Sequence, residues 1–325
     1  MSRTVMLGTR GSPLALAQSE YVRALLREAH LGLRVETTVI QTKGDLVLDR
    51  ALSRIGDKGL FVTEIENALL EGRIDLAVHS CKDLPSVTPN GLVLAAFPAR
   101  ADARDVLVSR HGLTLDQLPH GARVGTSSLR RACQLRAYRP DVEIVNVRGN
   151  VDTRLRKAMT EAYDAIVLAA AGLQRLNLLN RVTEFLDPSL MLPAVAQGTL
   201  AIECRADDPG LRELLGMLDD PATRLVTTVE RALLRRLEGG CQVPIAAYAM
   251  TEGIAAAPDG WRVHLRGLVG TPDGMEVVRG AMEDTGASAE ELGTRLAEEL
   301  LERGADAILG RLSRVIPAVE VPEQA

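Results

Sequence analysis

The feature that most limits how this chain folds is a series of short, almost wholly apolar runs separated by stretches of helical spacing: TVMLG at 4–8, IDLAVHS at 74–80 and LVLAAF at 92–97. Strands this apolar are buried on both faces, which calls for helices above and below a largely parallel sheet. The intervening segments fit that demand. In TRGSPLALAQSEYVRALLREAH, Ser12 is placed to cap a helix and Pro13 sits at its first position. LRVETTVIQT alternates as a strand does, and GLFVTEIENALLEG has helical spacing between glycines.

The rhythm restarts near residue 105. DVLVS, ARVGTSS and VEIVNV read as strands or strand ends, SSLRRACQLRAY and NVDTRLRKAMTEA as helices, and YDAIVLAAAG as another buried strand. Two α/β lobes in series, the second spanning about 103–193, predict a hinged, ligand-clasping molecule with its site in the cleft between them. TLAIECR, after MLPAVAQG, reads as one more strand, and local pattern leaves open which lobe it joins. From residue 221 the pattern changes. PATRLVTTVERALLRRLEGG is one long helix closed by glycines; strands follow at 245–250, 262–269 and 275–283, then a helix from about 288 to 310. That order predicts a smaller α+β third domain with an antiparallel sheet. Residues 316–325 read as a loose tail.

Composition narrows the function. A chain of 325 residues exceeds what one core usually organises, so two or three domains are expected. Aromatic residues make up only 2%, which disfavours base stacking on single-stranded nucleic acid. The net charge of −5 disfavours non-specific attachment to nucleic acid or anionic membrane. No secretory leader and no membrane-spanning run is read, so a cytoplasmic address is expected. There the four cysteines (81, 133, 204, 241) would be thiols. Their irregular spacing and the scattered histidines predict no metal site.

Chemistry-bearing residues gather in three places. In AVHSCKDLP, Ser80, Lys82 and Asp83 follow an apolar strand, where α/β sheets place ligands; a solvated ion pair is the plainer alternative. In VGTSSLRR, Thr126, Ser127 and Ser128 precede a helix start carrying Arg130 and Arg131. Free N–H groups there suit an anion, and capping by Ser127 or Ser128 is compatible with that. In NVRGNVDTRLRKA stand Arg148, Arg154 and Arg156; Arg175 and Arg10 also lie near strand ends. Guanidinium groups clustered on an acidic protein point to a ligand with several acidic groups. Neither a G-x-x-x-x-G-K-[ST] nor a G-x-G-x-x-G motif is present, so carboxylates are a better guess than nucleotide phosphates. A non-catalytic two-lobed binding protein for a small polycarboxylate would fit the lobes and arginines but leaves Asp83 and Cys241 without a task. Cys241 follows Gly239 and Gly240, which give its thiol unusual clearance.

The motifs TRGSPLALAQ, KGLFVTEIENALLEGRIDLAVHSCKDLP, VGTSSLRRACQL, VRGNVDTRL, YDAIVLAAAGLQRL, LPAVAQGTLAIECR and RLEGGCQVPI occur in an order that resembles the porphobilinogen deaminase (hydroxymethylbilane synthase) family, from about residue 4 to 250. The resemblance implies two lobes like those of periplasmic binding proteins plus a third domain. It also returns the strand after PAVAQG to the first lobe, giving domains 1–99 with 199–217, 103–193 and 221–315. It implies a monomeric transferase of tetrapyrrole and haem biosynthesis. Such an enzyme joins four porphobilinogen molecules, each losing ammonia, and releases 1-hydroxymethylbilane by hydrolysis. Each pyrrole carries an acetate and a propionate, which would account for an arginine-lined cleft.

By the same resemblance Cys241 carries a dipyrromethane cofactor through a thioether. The chemistry suits sulfur, because loss of ammonia leaves an electrophilic azafulvene. Asp83 matches the catalytic carboxylate, able to stabilise developing positive charge and to handle protons. Lys82, Asp83, Thr126, Ser128, Arg130, Arg131, Arg148, Asn150 and Arg154 are implied around the cofactor, and Arg10, Ser12, Arg148, Arg154, Arg175 and Gln197 around substrate. Lys58, Gly59 and Phe61 match a mobile loop over the cleft, although a plain turn before a helix reads equally well. Arg156 is read as a solvated helix residue. Cys81 stands where many relatives carry methionine; strand alternation would turn it away from Ser80 and Lys82, so a packed thiol is expected. Cys133 and Cys204 are read as core residues.

Overall fold

The first lobe forms around its apolar strands, whose side chains are largely buried. β1 (Thr4–Thr9), α1 (Pro13–Ala29), β2 (Arg34–Val39), α2 (Thr63–Leu70), β3 (Leu76–Ser80) and β4 (Leu92–Ala96) come in that order. The computed structural model describes residues 4–42, 62–237, 243–253, 260–285 and 288–315. Cys241, Gly239, Gly240, Lys58, Gly59, Phe61 and the tail 316–325 lie outside the described residues. The second lobe holds β5 (Asp105–Ser109), β6 (Arg123–Gly125), α3 (Leu129–Tyr138), β7 (Glu143–Val145), α4 (Val151–Ala158), β8 (Ala165–Ala169), α5 (Ala170–Arg175) and β9 (Glu184–Phe185). β10 (Leu200–Arg205) then returns to the first sheet, lying antiparallel between β3 and β4.

The two five-stranded sheets have the same plan, β2-β1-β3-β10-β4 and β7-β6-β8-β5-β9. In each, four strands run in one direction and the strand entering from the other lobe, β10 or β5, is antiparallel to both its neighbours. The expectation of largely parallel sheets therefore holds, with one antiparallel strand in each, β10 and β5. Each lobe's core is apolar on both sheet faces: Leu7, Leu76 and Ile202 pack on one side of the first sheet, Ile65, Leu69 and Ile74 on the other. Fully burying one such side chain contributes about 1.5–3 kcal/mol.

Helix starts are written in the sequence. Ser12, Ser128 and Asn150 each accept a backbone N–H from three residues on, capping α1, α3 and α4. Asp208 and Asp220, each followed by proline, cap α6 (Pro209–Gly216) and α7 (Pro221–Arg236) in the same way. Helix α6 had no counterpart in the sequence reading. The run YDAIVLAAAG is also not one strand. β8 ends at Ala169 and α5 begins at Ala170, because alanine and leucine serve either state equally well.

The third domain consists of β11 (Ile245–Gly253), β12 (Trp261–Gly270) and β13 (Val277–Asp284) in an antiparallel sheet covered by α7 and α8 (Ala289–Leu300). The final helix is not continuous. It breaks at Gly304, whose φ of +106° no helix adopts, and resumes as α9 (Asp306–Val315). This domain touches both lobes. Val226, Val229 and Leu233 of α7 pack with Val62, Cys81 and Phe97 of the first lobe, and Leu268 packs with Leu192 of the second.

The chain crosses between lobes twice, after β4 and before β10, and the crossings are bonded to each other through Ala101 N–H and Gly198 O at 3.2 Å. Gly198 has φ +91°, and a Cβ there would lie 2.4 Å from the Ala101 carbonyl oxygen. Only glycine fits that point of the hinge.

Candidate active site

β3 gives way to a single 3-10 turn, Cys81–Asp83, instead of continuing as a strand. The turn sorts the three side chains by environment. Cys81 is 1% exposed and packs with α7 residues, Lys82 is half-buried, and Asp83 is exposed. Burial pushes the Cys81 thiol up to about 11, which keeps it protonated and a poor nucleophile. The expected packed thiol is therefore observed, although the turn rather than strand alternation produces it. Cys133 and Cys204 are buried core thiols as well.

Lys82 Nζ donates to Gln197 Oε1 at 3.3 Å. Loss of solvent lowers the Lys82 pKa to about 8 despite the favourable charge of Asp83. Arg10, Gln18, His79, Ser80 and Asp83 line one cavity at this end of the sheet. Gln18 Nε2 donates to Ser80 Oγ at 2.8 Å, and the buried His79 and Glu203 side chains meet at 3.0 Å across β3 and β10. Ser12, an expected substrate contact, has its hydroxyl oxygen on the Ala15 N–H as the α1 cap.

The second lobe presents a different surface. Arg130 and Arg131 at the start of α3 are 5% and 6% exposed and share the fully buried Asp105, each at 2.7 Å. Arg130 also donates to Leu192 O and Arg131 to Val167 O. Burial alone would raise the Asp105 pKa, but the two guanidinium groups outweigh it and hold the carboxyl well below its usual range. The trio keeps one net positive charge. Thr126 Oγ1 accepts from Ser128 N–H and Ser128 Oγ from Arg131 N–H, so both hydroxyls keep their own protons for a further acceptor. Ser127 instead bonds to Asn146 and to Val147 O, away from the helix start.

Gln197 joins the two halves. Its Nε2 donates to Ala103 O at 2.7 Å and to Asp105 Oδ1 at 3.0 Å while its Oε1 receives Lys82. Arg175 donates to Gly198 O at 2.7 Å, and burial lowers its pKa to about 10. Arg154, its Nε on Gly149 O, is also lowered by burial and lies within electrostatic reach of Arg131, Asp83 and Arg148. Arg148 is half-buried. Asn150 is exposed and spends its Oδ1 as the α4 cap on Thr153 N–H. Arg156 is exposed and bonds within its own helix to Thr153, as a solvated residue would.

The structure thus brings Lys82, Gln197, Asp105, Arg130 and Arg131 into one network, with Arg154 near Asp83. Asp105 and Gln18 were missed by sequence reasoning. Asp105 carried a signal, an acid opening the otherwise apolar strand DVLVS, because an acid buried there needs cationic partners. The same signal marks Glu230 in an apolar helix face. It is fully buried and held by Arg100, which also donates to Gln197 O. Gln18 left no comparable trace.

The donor set suits a ligand carrying several carboxylates: a desolvated ammonium, guanidinium groups in excess of their carboxylates, and hydroxyls with free protons. Among the described residues no cluster of three or more His, Cys, Asp or Glu is arranged to hold a metal ion. No described helix is long and apolar enough to cross a membrane.

Comparison with known proteins agrees with this chemistry. Residues 5–213 match the family described as "Porphobilinogen deaminase, dipyromethane cofactor binding domain", and residues 225–302 match "Porphobilinogen deaminase, C-terminal domain". Porphobilinogen deaminase of Roseiflexus sp. (strain RS-1) is 55% identical over 309 residues, covering 95% of this chain and 99% of that protein. The enzyme of Syntrophobacter fumaroxidans (strain DSM 10017 / MPOB) is 50% identical over 313 residues, 96% of this chain and 99% of its own length. Among solved structures, the second substrate binding domain of a putative amino acid ABC transporter from Streptococcus pneumoniae aligns with TM-score 0.42 at 15% identity, over 66% of this chain and 90% of that one. On the family matches and these identities, the chain belongs to the porphobilinogen deaminase family.

Proposed function

We propose that Asp83 is the catalytic carboxylate of this hydroxymethylbilane synthase, and that the surrounding cations hold the carboxylates of cofactor and growing chain. The observation that carries the reading is the contrast at the end of β3: Asp83 is exposed to the cavity while the neighbouring Lys82 is desolvated and tied to Gln197. In each condensation the aminomethyl C–N bond of porphobilinogen breaks and ammonia leaves. Positive charge develops on the pyrrole at that moment, and a carboxylate by the ring N–H stabilises it and takes up or returns a proton. Asp83 has the exposure to serve in that way, and Arg154 lies within electrostatic reach of it.

Dipyrromethane, attached through Cys241, would supply the acceptor carbon to which the first substrate is joined. Lys82, Thr126, Ser128, Arg130, Arg131, Arg148, Asn150 and Arg154 are the residues proposed to hold its acidic side chains. Arg10, Ser12, Arg148, Arg154, Arg175 and Gln197 are proposed for substrate. For Ser12 and Asn150 the cap geometry limits the role to what remains of each side chain, the hydroxyl proton and the amide nitrogen. Arg130 and Arg131, both buried and already engaged by Asp105, are proposed to act through the net positive charge of that trio. Lys58, Gly59 and Phe61 are proposed to close over the site. The enzyme is read as a cytoplasmic monomer without nucleic-acid or membrane partners, in keeping with its net charge of −5 and 2% aromatic content.

Intact-mass measurement with a pyrrole-specific colour reaction tests the cofactor assignment. Wild type should exceed the bare 34.9 kDa chain by one dipyrrole and give colour; Cys241→Ala should do neither and should be inactive. A wild-type protein of bare mass, colourless and fully active, would overturn it.

A further inference from the structure

A second cavity of about 400 Å³ lies outside the cleft, at the seam between the second lobe and the third domain. Pro188, Ser189 and Leu192 form one wall; Arg266 on β12, Arg279 on β13 and Arg303 beyond α8 form the other. β12 and β13 place Leu268 opposite Arg279 and Ala281 opposite Arg266, so both arginines lie on the sheet face that meets the second lobe through Leu268 and Leu192. Between them Gly267 pairs with Gly280. A Cβ on either would point into Leu296 and Leu300 of α8, so the cavity side of this pair is bare backbone.

Charge here is not balanced. Arg303 is paired with Glu299 at 2.9 Å. Arg279 has no carboxylate partner among the described residues and donates only to the carbonyl of Ser189, at 3.3 Å. Arg266 makes no hydrogen bond or ion pair with the described residues. It acts electrostatically on Asp187, whose carboxyl is already engaged by Ser189 N–H. Arg266 and Arg279 are both exposed, and partial desolvation still holds the Arg279 pKa below its ordinary value. Two guanidinium groups, those of Arg266 and Arg279, face a concave seam with no ion-paired carboxylate among the described residues, an arrangement suited to receiving an anion.

We infer that this seam is a second anion site, separate from the cleft, which takes a small multivalent oxyanion, phosphate or a di- or tricarboxylate, between Arg266, Arg279 and the Ser189 hydroxyl. Bound there, the anion ties the third domain to the second lobe. None of its three arginines belongs to the proposed catalytic set.

Calorimetric titration of the holoenzyme with inorganic phosphate and, separately, with citrate, at ionic strength held constant with chloride, tests the site. Wild type should bind at least one of the two saturably. Phosphate alone would identify a compact phosphate site, citrate alone a polycarboxylate site. Arg266→Gln/Arg279→Gln should weaken that binding tenfold or more while leaving kcat and KM for porphobilinogen unchanged in anion-free buffer. Should the double variant melt at lower temperature without anion, Arg266→Gln alone decides, because that side chain bonds to none of the described residues. Binding unchanged in the variants would place the anion in the cleft and overturn the inference, as would a wild type that binds neither ion.

Discussion

At the end of β3 the first lobe offers an exposed carboxylate, Asp83, beside a half-buried lysine; at the start of α3 the second lobe offers two arginines buried over Asp105. The lobes share one strand plan, and the equivalent strands β1 and β6 even end alike, in GTRGS and GTSS, each followed by a serine-capped helix. What differs is where the compensating charge sits. In the second lobe the counter-ion is covalently part of the lobe, so the pair is framework and the surplus positive charge is fixed in place. In the first lobe the carboxylate is left exposed, which is what the proton-handling role proposed for Asp83 requires.

The comparison breaks first at Asp105. Asp105→Asn leaves two buried guanidinium groups without their anion and should cost about 3–5 kcal/mol in chemical denaturation; a loss below about 1 kcal/mol would show that the trio is not a structural unit. Because the folded pKa of Asp105 is depressed, its contribution is fully present above the unfolded value near 4 and is lost only as pH falls through the lowered folded pKa. Acid unfolding of Asp105→Asn should therefore lack that component.

Asp83→Asn should lower kcat by roughly a hundredfold or more, with KM and the unfolding free energy little changed, because the side chain is exposed. Near-normal turnover would remove Asp83 from the mechanism and make the two lobes equivalent scaffolds. At the hinge, Gly198→Ala forces a left-handed conformation and a 2.4 Å approach on Ala101 O, and should destabilise by about 1–3 kcal/mol in a thermal melt.

Lys82 sharpens the contrast through pH. Its pKa is lowered to about 8, so KM for porphobilinogen should rise as pH passes 8, and Lys82→Gln should flatten that rise. The sign for stability is opposite. The cost of the buried ammonium is fully present below pH 8 and is relieved between 8 and the unfolded value, so stability should increase over that window. The smallest effect is expected at Arg156, exposed and bonded only within α4: Arg156→Ala should change stability by less than about 0.5 kcal/mol and leave kinetics unaltered.

Much of this site is legible in the sequence. Apolar runs placed Asp83 and Arg130 at the ends of strands or the starts of helices, and Ser12 and Ser128 announced their helices. These signals are local: periodicity and capping act within a turn or two of the chain. Where local preference was ambiguous, the reading slipped, as in YDAIVLAAAG and at Gly304.

The sequence by itself determined the alternation of strands and helices, the capped helix starts, and the concentration of cations at strand ends. Only the tertiary structure decided which of those cations are already neutralised. Asp105 meets Arg130 from 25 residues away and Gln197 from 92. The physical reason is that a charge is defined by its surroundings: burial removes water, and the partner that replaces it is chosen by the fold, not by the neighbours in the chain.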